Sequence, residues 1–308
     1  MKYKKRRFAS GECMHVYQRT KGGVNIFYDL EDYIVFYTVF SVVSKLYKIS
    51  VLELCMMIDH VHILLSSEVL SEISRFVQHY TSLFMREYNN GIGRKGSLFH
   101  KSFGSAPKKG NKMIRSAIVY IGNNPVEKGL CCKAAEYRWN FLAYMSADNP
   151  FSKSGPLSRY SLRLRNAMRE VAGCSQRGEY LSYAKVRRMY GRLKEHEKEI
   201  LTDYVIKTYF PFAKELLLSF YNSYDDMLNA MDSTSGSEYD IKEKYYYGTD
   251  LIYEDMMEVV RENVMPVRKV TVVPDEDKFE IARLLHCRTQ GSVIQISKFL
   301  HINIVTRK

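Results

Sequence analysis

The spacing of hydrophobic residues changes several times along the first 130 positions, and each change marks an element. "CMHVYQRT" (13–20) mixes β-branched and aromatic residues and predicts a strand, closed by Lys-Gly-Gly as a turn. From Asp29 to Lys48 the residues Val35, Phe36, Val39, Phe40, Val43 and Leu46 recur at helical spacing. Acidic residues stand in the first turn and lysines in the last, so a packed helix is predicted there. "VLELCMMIDHVHILLSS" (51–67) reads either as one long strand or as the arm of a hairpin. Residues 67–90 return to helical spacing, with Ser71 as the expected cap and "NNGIG" as the stop. "GRKGSLFHKSFGSAPKKGNK" (93–112) predicts a basic, glycine-rich loop or hairpin. "MIRSAIVYIGNNP" then predicts a helix ending at Pro125, because the residue before a proline disfavours the α region.

This β-α-β-α-β-α order implies a compact α+β sandwich, without deciding between parallel and antiparallel pairing. The Ser-, Pro- and Gly-bearing stretch "SADNPFSKSGPLS" (146–158) marks a boundary, which divides the chain into residues 1–148 and 149–308. Beyond it, residues 159–230 read as mainly helical and densely basic, with Arg163, Arg165, Arg169, Arg177, Lys185, Arg187, Arg188, Arg192 and Lys194. "DSTSGSEYD" (232–240) reads as a flexible loop. The final stretch offers two short amphipathic helices around a Thr-Gln-Gly turn, a candidate helix-turn-helix near 278–308.

Charge adds a partner to this picture. The net charge is +12, of which residues 1–150 carry +9, from 21 basic and 12 acidic side chains. A polyanion such as nucleic acid suits that surface, since each neutralised phosphate releases condensed counterions. Six scattered cysteines without a CxxC pair read as reduced, mostly buried thiols. No run approaches the roughly 18 to 20 apolar residues of a membrane span, and the basic N-terminus leads into a strand-like stretch instead of an apolar signal core. A cytoplasmic protein is the expectation.

Two constellations carry candidate chemistry. In a strand, residues i and i+2 share a face, so His60 and His62 sit side by side while Val61 and Ile63 pack on the other side. Such a pair either offers two nitrogens to one metal ion or rests satisfied by hydrogen bonds near the core. On the helix that follows, Tyr120 and Asn124 are four apart, so the phenol and the amide lie one above the other.

The His-hydrophobic-His strand, followed by a helical tyrosine with an amide four residues on, resembles the single-tyrosine HUH transposases. It is most similar to the REP-associated tyrosine transposases. The likeness spreads over residues 11–145 through "MHVYQRT", "IFYDLEDYIVF", "LCMMIDHVHILL", "FVQHYTSLFMREYNN", "RKGSLFHKSFGS", "YIGNNPVEKGL" and "EYRWNFLAY", in that family's order. Departures are Ile58 and Asp59, where relatives often have Pro and Asn, Ser102 where Arg is expected, and Gly122, which should loosen the helix between phenol and amide.

The resemblance implies a ferredoxin-like HUH endonuclease core over residues 1–148, with a central antiparallel sheet and flanking helices, followed by a mainly helical region. It implies His60, His62 and Asn124 as ligands of a divalent metal, Mg²⁺ or Mn²⁺, and Tyr120 as the nucleophile. The activity implied is cleavage and rejoining of single-stranded DNA through a 5′-phosphotyrosine at hairpin or palindromic repeats. Single-stranded or hairpin DNA is then the partner, with a homodimer left open beside a monomer. Arg94, Lys95, Lys101, Lys108, Lys109, Lys112 and Arg115, which flank the tyrosine's helix in sequence, are the expected phosphate contacts. The alternatives are a domesticated DNA-binding regulator with vestigial catalytic groups, and a metallo-phosphodiesterase that activates water.

Overall fold

A computed structural model describes residues 8, 10–100, 102–153, 155–233, 249–264 and 270–304. In chain order the first part comprises β1 (Cys13–Arg19), α1 (Leu30–Ser44), β2 (Ser50–Met57), β3 (His60–Ser66), α2 (Leu70–Ile92), β4 (Gly104–Lys108) and α3 (Gly110–Glu127). The sheet runs β2-β3-β1-β4 with every pairing antiparallel. Flanked by helices, this is the ferredoxin-like α+β core that the sequence resemblance implied.

The ambiguous run at 51–67 is a hairpin. β2 and β3 pair from Met57↔His60 outward, and Ile58 and Asp59 form the connection between them. The fourth strand lies inside the stretch read as a basic loop or hairpin. Its "GSAPK" has no alternation to read, and Pro107 is tolerated because β4 is the sheet's edge, where a missing N–H breaks no inner ladder.

Helix ends differ from expectation in three places. Helix α1 stops at Ser44, so Lys45 and Lys48 fall beyond it; its start, however, is fixed by an Asp29–Asp32 capping box. Helix α2 starts at Leu70, which puts Ser71 inside the helix, and its stop at Gly93 follows the left-handed conformation that glycine takes without strain. Helix α3 runs through Pro125 to Glu127. Only the last turn follows the proline, which limits the lost hydrogen bonding to one backbone position.

Cross-strand partners share a face, so the register sorts the sheet into two sides. Met14, Val16, Val61, Ile63, Leu65, Leu54 and Met56 line one side. Gln18 points the same way and accepts hydrogen bonds from Tyr80 and Thr81 of α2, which identifies this as the helix-covered apolar side. His15, Tyr17, Arg19, His60, His62, Cys55 and Glu53 line the other side, against which α3 packs.

The second part is helical: α4 (Leu162–Gln176), α5 (Tyr183–Tyr190), α6 (Glu195–Thr208), α7 (Lys214–Leu218), α8 (Tyr224–Asp232), α9 (Ile252–Asn263), α10 (Asp275–Arg288) and α11 (Val293–Leu300). Helix α1 is buried almost all round because α5 and α6 cover its outer side, where Tyr37 donates to the Ile206 carbonyl and Tyr183 to Asp32. Apolar residues of 164–231 share one core with the sheet, whereas α9, α10 and α11 gather a smaller core that reaches the sheet region through Tyr28. The loop expected over 232–240 lies outside the described residues from 234 onward, as do residues 305–308 of the candidate helix-turn-helix. No described helix is long and apolar enough to cross a membrane.

Candidate active site

The β3 register sets His60 opposite Arg19 and His62 opposite Tyr17, so both imidazoles emerge on the polar side of the sheet. Their rings stand perpendicular with centroids 4.9 Å apart. Both are buried, and each is held by its Nδ1. His60 Nδ1 meets Asp59 Oδ1 at 2.5 Å, and His62 Nδ1 meets Nε2 of His15 at 3.0 Å. Each contact leaves the ring's Nε2 turned to the centre of the site, which is how an imidazole ligand's tautomer is fixed. Burial, followed by the neighbouring His60, His15 and Arg19 charges, drives the His62 pKa well below its ordinary value, so that ring stays neutral with a lone pair to offer. Burial alone would raise the Asp59 carboxyl, but His60, Lys298 and Arg19 outweigh it and hold Asp59 below the usual carboxylate range.

Helix α3 brings the other two groups. The Tyr120 ring lies edge-on to His62 with centroids 5.5 Å apart, and it is 5.8 Å from that of His15. Asn124, one turn on, has its Nδ2 3.4 Å from His62 Nε2. The four residues singled out in the sequence, distant along the chain, therefore meet in one buried place within a single chain. Gly122 serves close packing here: a Cβ would sit 2.7 Å from the Met231 methyl of α8, and Asn123 donates to the Met231 carbonyl.

Two buried polar atoms in this cluster lack any hydrogen-bond partner, His60 Nε2 and Asn124 Oδ1. Leaving such an atom unpaired costs about 1–3 kcal/mol, so each calls for a partner such as an ordered water or an ion. Together with His62 Nε2 they form a two-imidazole, one-amide donor set that fits a divalent cation with positions left open. Among the described residues no cluster of three or more His, Cys, Asp or Glu side chains forms a metal site, since the third donor here is an amide. His15 went unnoticed in the sequence. Its signal was its place in the alternation of β1, but its neighbour across the sheet follows only from the register.

The basic residues separate into groups. Lys95, Lys109, Lys112 and Arg115 are exposed, Arg115 lying over the Tyr221 ring at 4.6 Å. Arg94 is half-buried and donates to Asn89 and to the Gly96 carbonyl. Lys108 is only 1 % exposed, at the β4 position opposite Cys13, and is not on the surface where the other lysines stand. Lys101 lies outside the described residues. Beside the histidines a cavity of about 420 Å³ opens to the surface, lined by Tyr17, Arg19, Lys21, Phe99, His100 and Ser102. Gly104 lets the Tyr17 ring lie flat across β4, where any Cβ would collide with it.

Residues 12–124 match the family described as "Transposase IS200 like", a span that starts just before β1 and ends on Asn124. Over that segment the chain is similar to IS200-like transposases, in line with the motif resemblance. One solved structure, of a REP-associated tyrosine transposase bound to a REP hairpin, aligns with 52 % of this chain and 96 % of its own, at 14 % identity and a TM-score of 0.40. No curated protein matches the chain.

Proposed function

We propose that the protein cleaves and rejoins single-stranded DNA at hairpin or palindromic repeats through a covalent tyrosine link. The observation that carries this reading is the meeting of the Tyr120 ring with two imidazoles and an amide, two of whose donor atoms are buried without partners. His60 Nε2, His62 Nε2 and Asn124 Oδ1 would hold a divalent cation, Mg²⁺ or Mn²⁺. When bound, the cation supplies positive charge that offsets the negative oxygens of the scissile phosphate.

The Tyr120 oxygen attacks phosphorus, an O–P bond forms, the P–O3′ bond breaks, the phenol proton passes to solvent or to a neighbouring base, and the departing 3′ oxygen takes up a proton from solvent. The products are a 5′-phosphotyrosine and a free 3′-hydroxyl. Because the phosphodiester's energy is kept in the protein–DNA bond, a second 3′-hydroxyl can reverse the step and join strands. Asp59 and His15 hold the two imidazoles, while Tyr17, Arg19 and Lys21 offer a stacking surface and positive charge where the cavity opens. The exposed Lys95, Lys109, Lys112 and Arg115 contact the backbone further out. In this reading residues 1–148 are the catalytic unit of a cytoplasmic protein, residues 149–308 support it, and a homodimer would pair two complete sites.

The test is a denaturing gel of the full chain incubated with labelled hairpin DNA and Mn²⁺. The parent forms a protein–DNA adduct, and Tyr120→Phe forms none while still binding. Adduct formation by the Phe variant would remove Tyr120 from the reaction. Product release without adduct would point to activated water, and binding without any product to a regulator.

A further inference from the structure

Helix α11 lies more than 220 residues from the histidine hairpin in sequence, yet it ends against it. Lys298 Nζ stands 3.9 Å from Asp59 Oδ2, while the other oxygen of the same carboxylate meets His60 Nδ1 at 2.5 Å. We propose that Lys298 is a positioning residue of the active site, holding Asp59 in the rotamer that aims His60 Nε2 at the cation. The proposal rests on the metal-site reading above and adds to it a residue from outside the transposase-like segment.

Three observations support it. The contact is sheltered, with the Lys298 and Asp59 side chains 18 % and 23 % exposed, so it escapes much of the screening that empties surface pairs of energy. The helix is also fixed in place. Asn25 donates its N–H to the Lys298 carbonyl, Tyr28 donates its hydroxyl to the Phe299 carbonyl, and His301 Nε2 bonds the Asn25 carbonyl at 2.7 Å. The third is that the loop receiving the helix is tied to the hairpin turn itself. Ile26 and Phe27 donate to the Ile58 carbonyl, and Thr20 donates to that of Asp59. Helix and carboxylate thus share one backbone frame.

Gly23 closes the arrangement. Its φ of +67° and the closeness of Lys298 Cε, 3.4 Å from where a Cβ would stand, leave the lysine stem lying along bare backbone. The ammonium therefore has little freedom to leave Asp59, and a long flexible side chain is ordered before any ligand arrives. This is the condition under which an outer charge can orient an inner ligand.

The experiment measures Mn²⁺ binding to the full chain without DNA, by electron paramagnetic resonance of the free ion. The parent binds Mn²⁺ and His60→Ala loses it. Lys298→Ala weakens the affinity about tenfold, within the range found for outer residues of metal sites, and Lys298→Arg recovers most of it. In an Asp59→Asn background the Lys298→Ala change has no further effect, because the lysine acts through that carboxylate. Parental affinity in Lys298→Ala, or an equal loss in both backgrounds, overturns the positioning role alone. Mn²⁺ binding that survives His60→Ala overturns the metal-site reading and this proposal with it. Thermal unfolding followed by circular dichroism accompanies each variant. If Lys298→Ala lowers affinity only in proportion to lost folded protein, and Lys298→Arg does not restore it, the lysine is structural and the proposal fails.

Discussion

The two sides of the four-stranded sheet are built from the same strands and both are largely buried, but they have opposite chemistry. The side facing α2 is mostly apolar, and its buried Gln18 is satisfied by Tyr80 and Thr81. The side facing α3 carries three histidines, an arginine and a glutamate, with unpartnered atoms on His60 and Glu53. Burial by itself says little about role. What separates the sides is whether polar groups find partners within the chain, and where they do not, the sequence has kept something that folding alone would discard.

Substitutions on the two sides should therefore part company. The largest effect belongs to His62→Ala, which is expected to lower adduct formation by about three orders of magnitude with little change in unfolding midpoint, measured by single-turnover gel assay beside calorimetry. Its neighbour Ile63→Ala, pointing the other way, should reverse the pattern. It should cost about 2–5 kcal/mol of stability in urea titration and leave the adduct rate of the folded fraction within a few-fold. If both substitutions lowered stability and activity together, the distinction between the sides would collapse.

Glu53 sharpens the comparison with a smaller effect of opposite sign. It is wholly buried with neither carboxylate oxygen partnered, and burial raises its pKa well above the ordinary value. Because the folded-state pKa exceeds the unfolded one, this group's stability contribution is complete below the unfolded value of about 4.3 and is lost as pH rises towards the folded one. Glu53→Leu is expected to stabilise the protein by about 1–3 kcal/mol near neutral pH and by much less at pH 4. A gain independent of pH would mean that the carboxyl finds a partner after all. The smallest effect is expected at the surface. Lys109→Ala combined with Lys112→Ala should lower the salt slope of single-strand binding by roughly 0.7 per lost contact and leave stability within about 0.5 kcal/mol.

Much of this was legible from local pattern. The alternation around His60 and His62 located the face they share, and the four-residue interval placed Asn124 one turn beyond Tyr120, because both relations are set by backbone geometry alone. What stayed hidden depended on tertiary partners. β4 has no alternation and contains a proline, which only an edge position excuses. Lys108 looked like its exposed neighbours, since nothing local marks which lysine of a basic run turns inward. His15 and Lys298 acquire meaning only through a strand register and a docked helix. The packing of the Met231 thioether over Gly122 likewise joins positions more than 100 residues apart.

That last glycine has a consequence for the chemistry. With 3.6 residues per turn, moving α3 by one residue in register swings every side chain on it by about 100° around its axis, enough to carry the phenol and the amide away from the histidines together. The thioether of Met231 packs over Gly122, where a Cβ would otherwise stand. That contact lies on the face of α3 turned away from the histidines, so the phenol's placement depends on packing at the back of the helix as well as at its front.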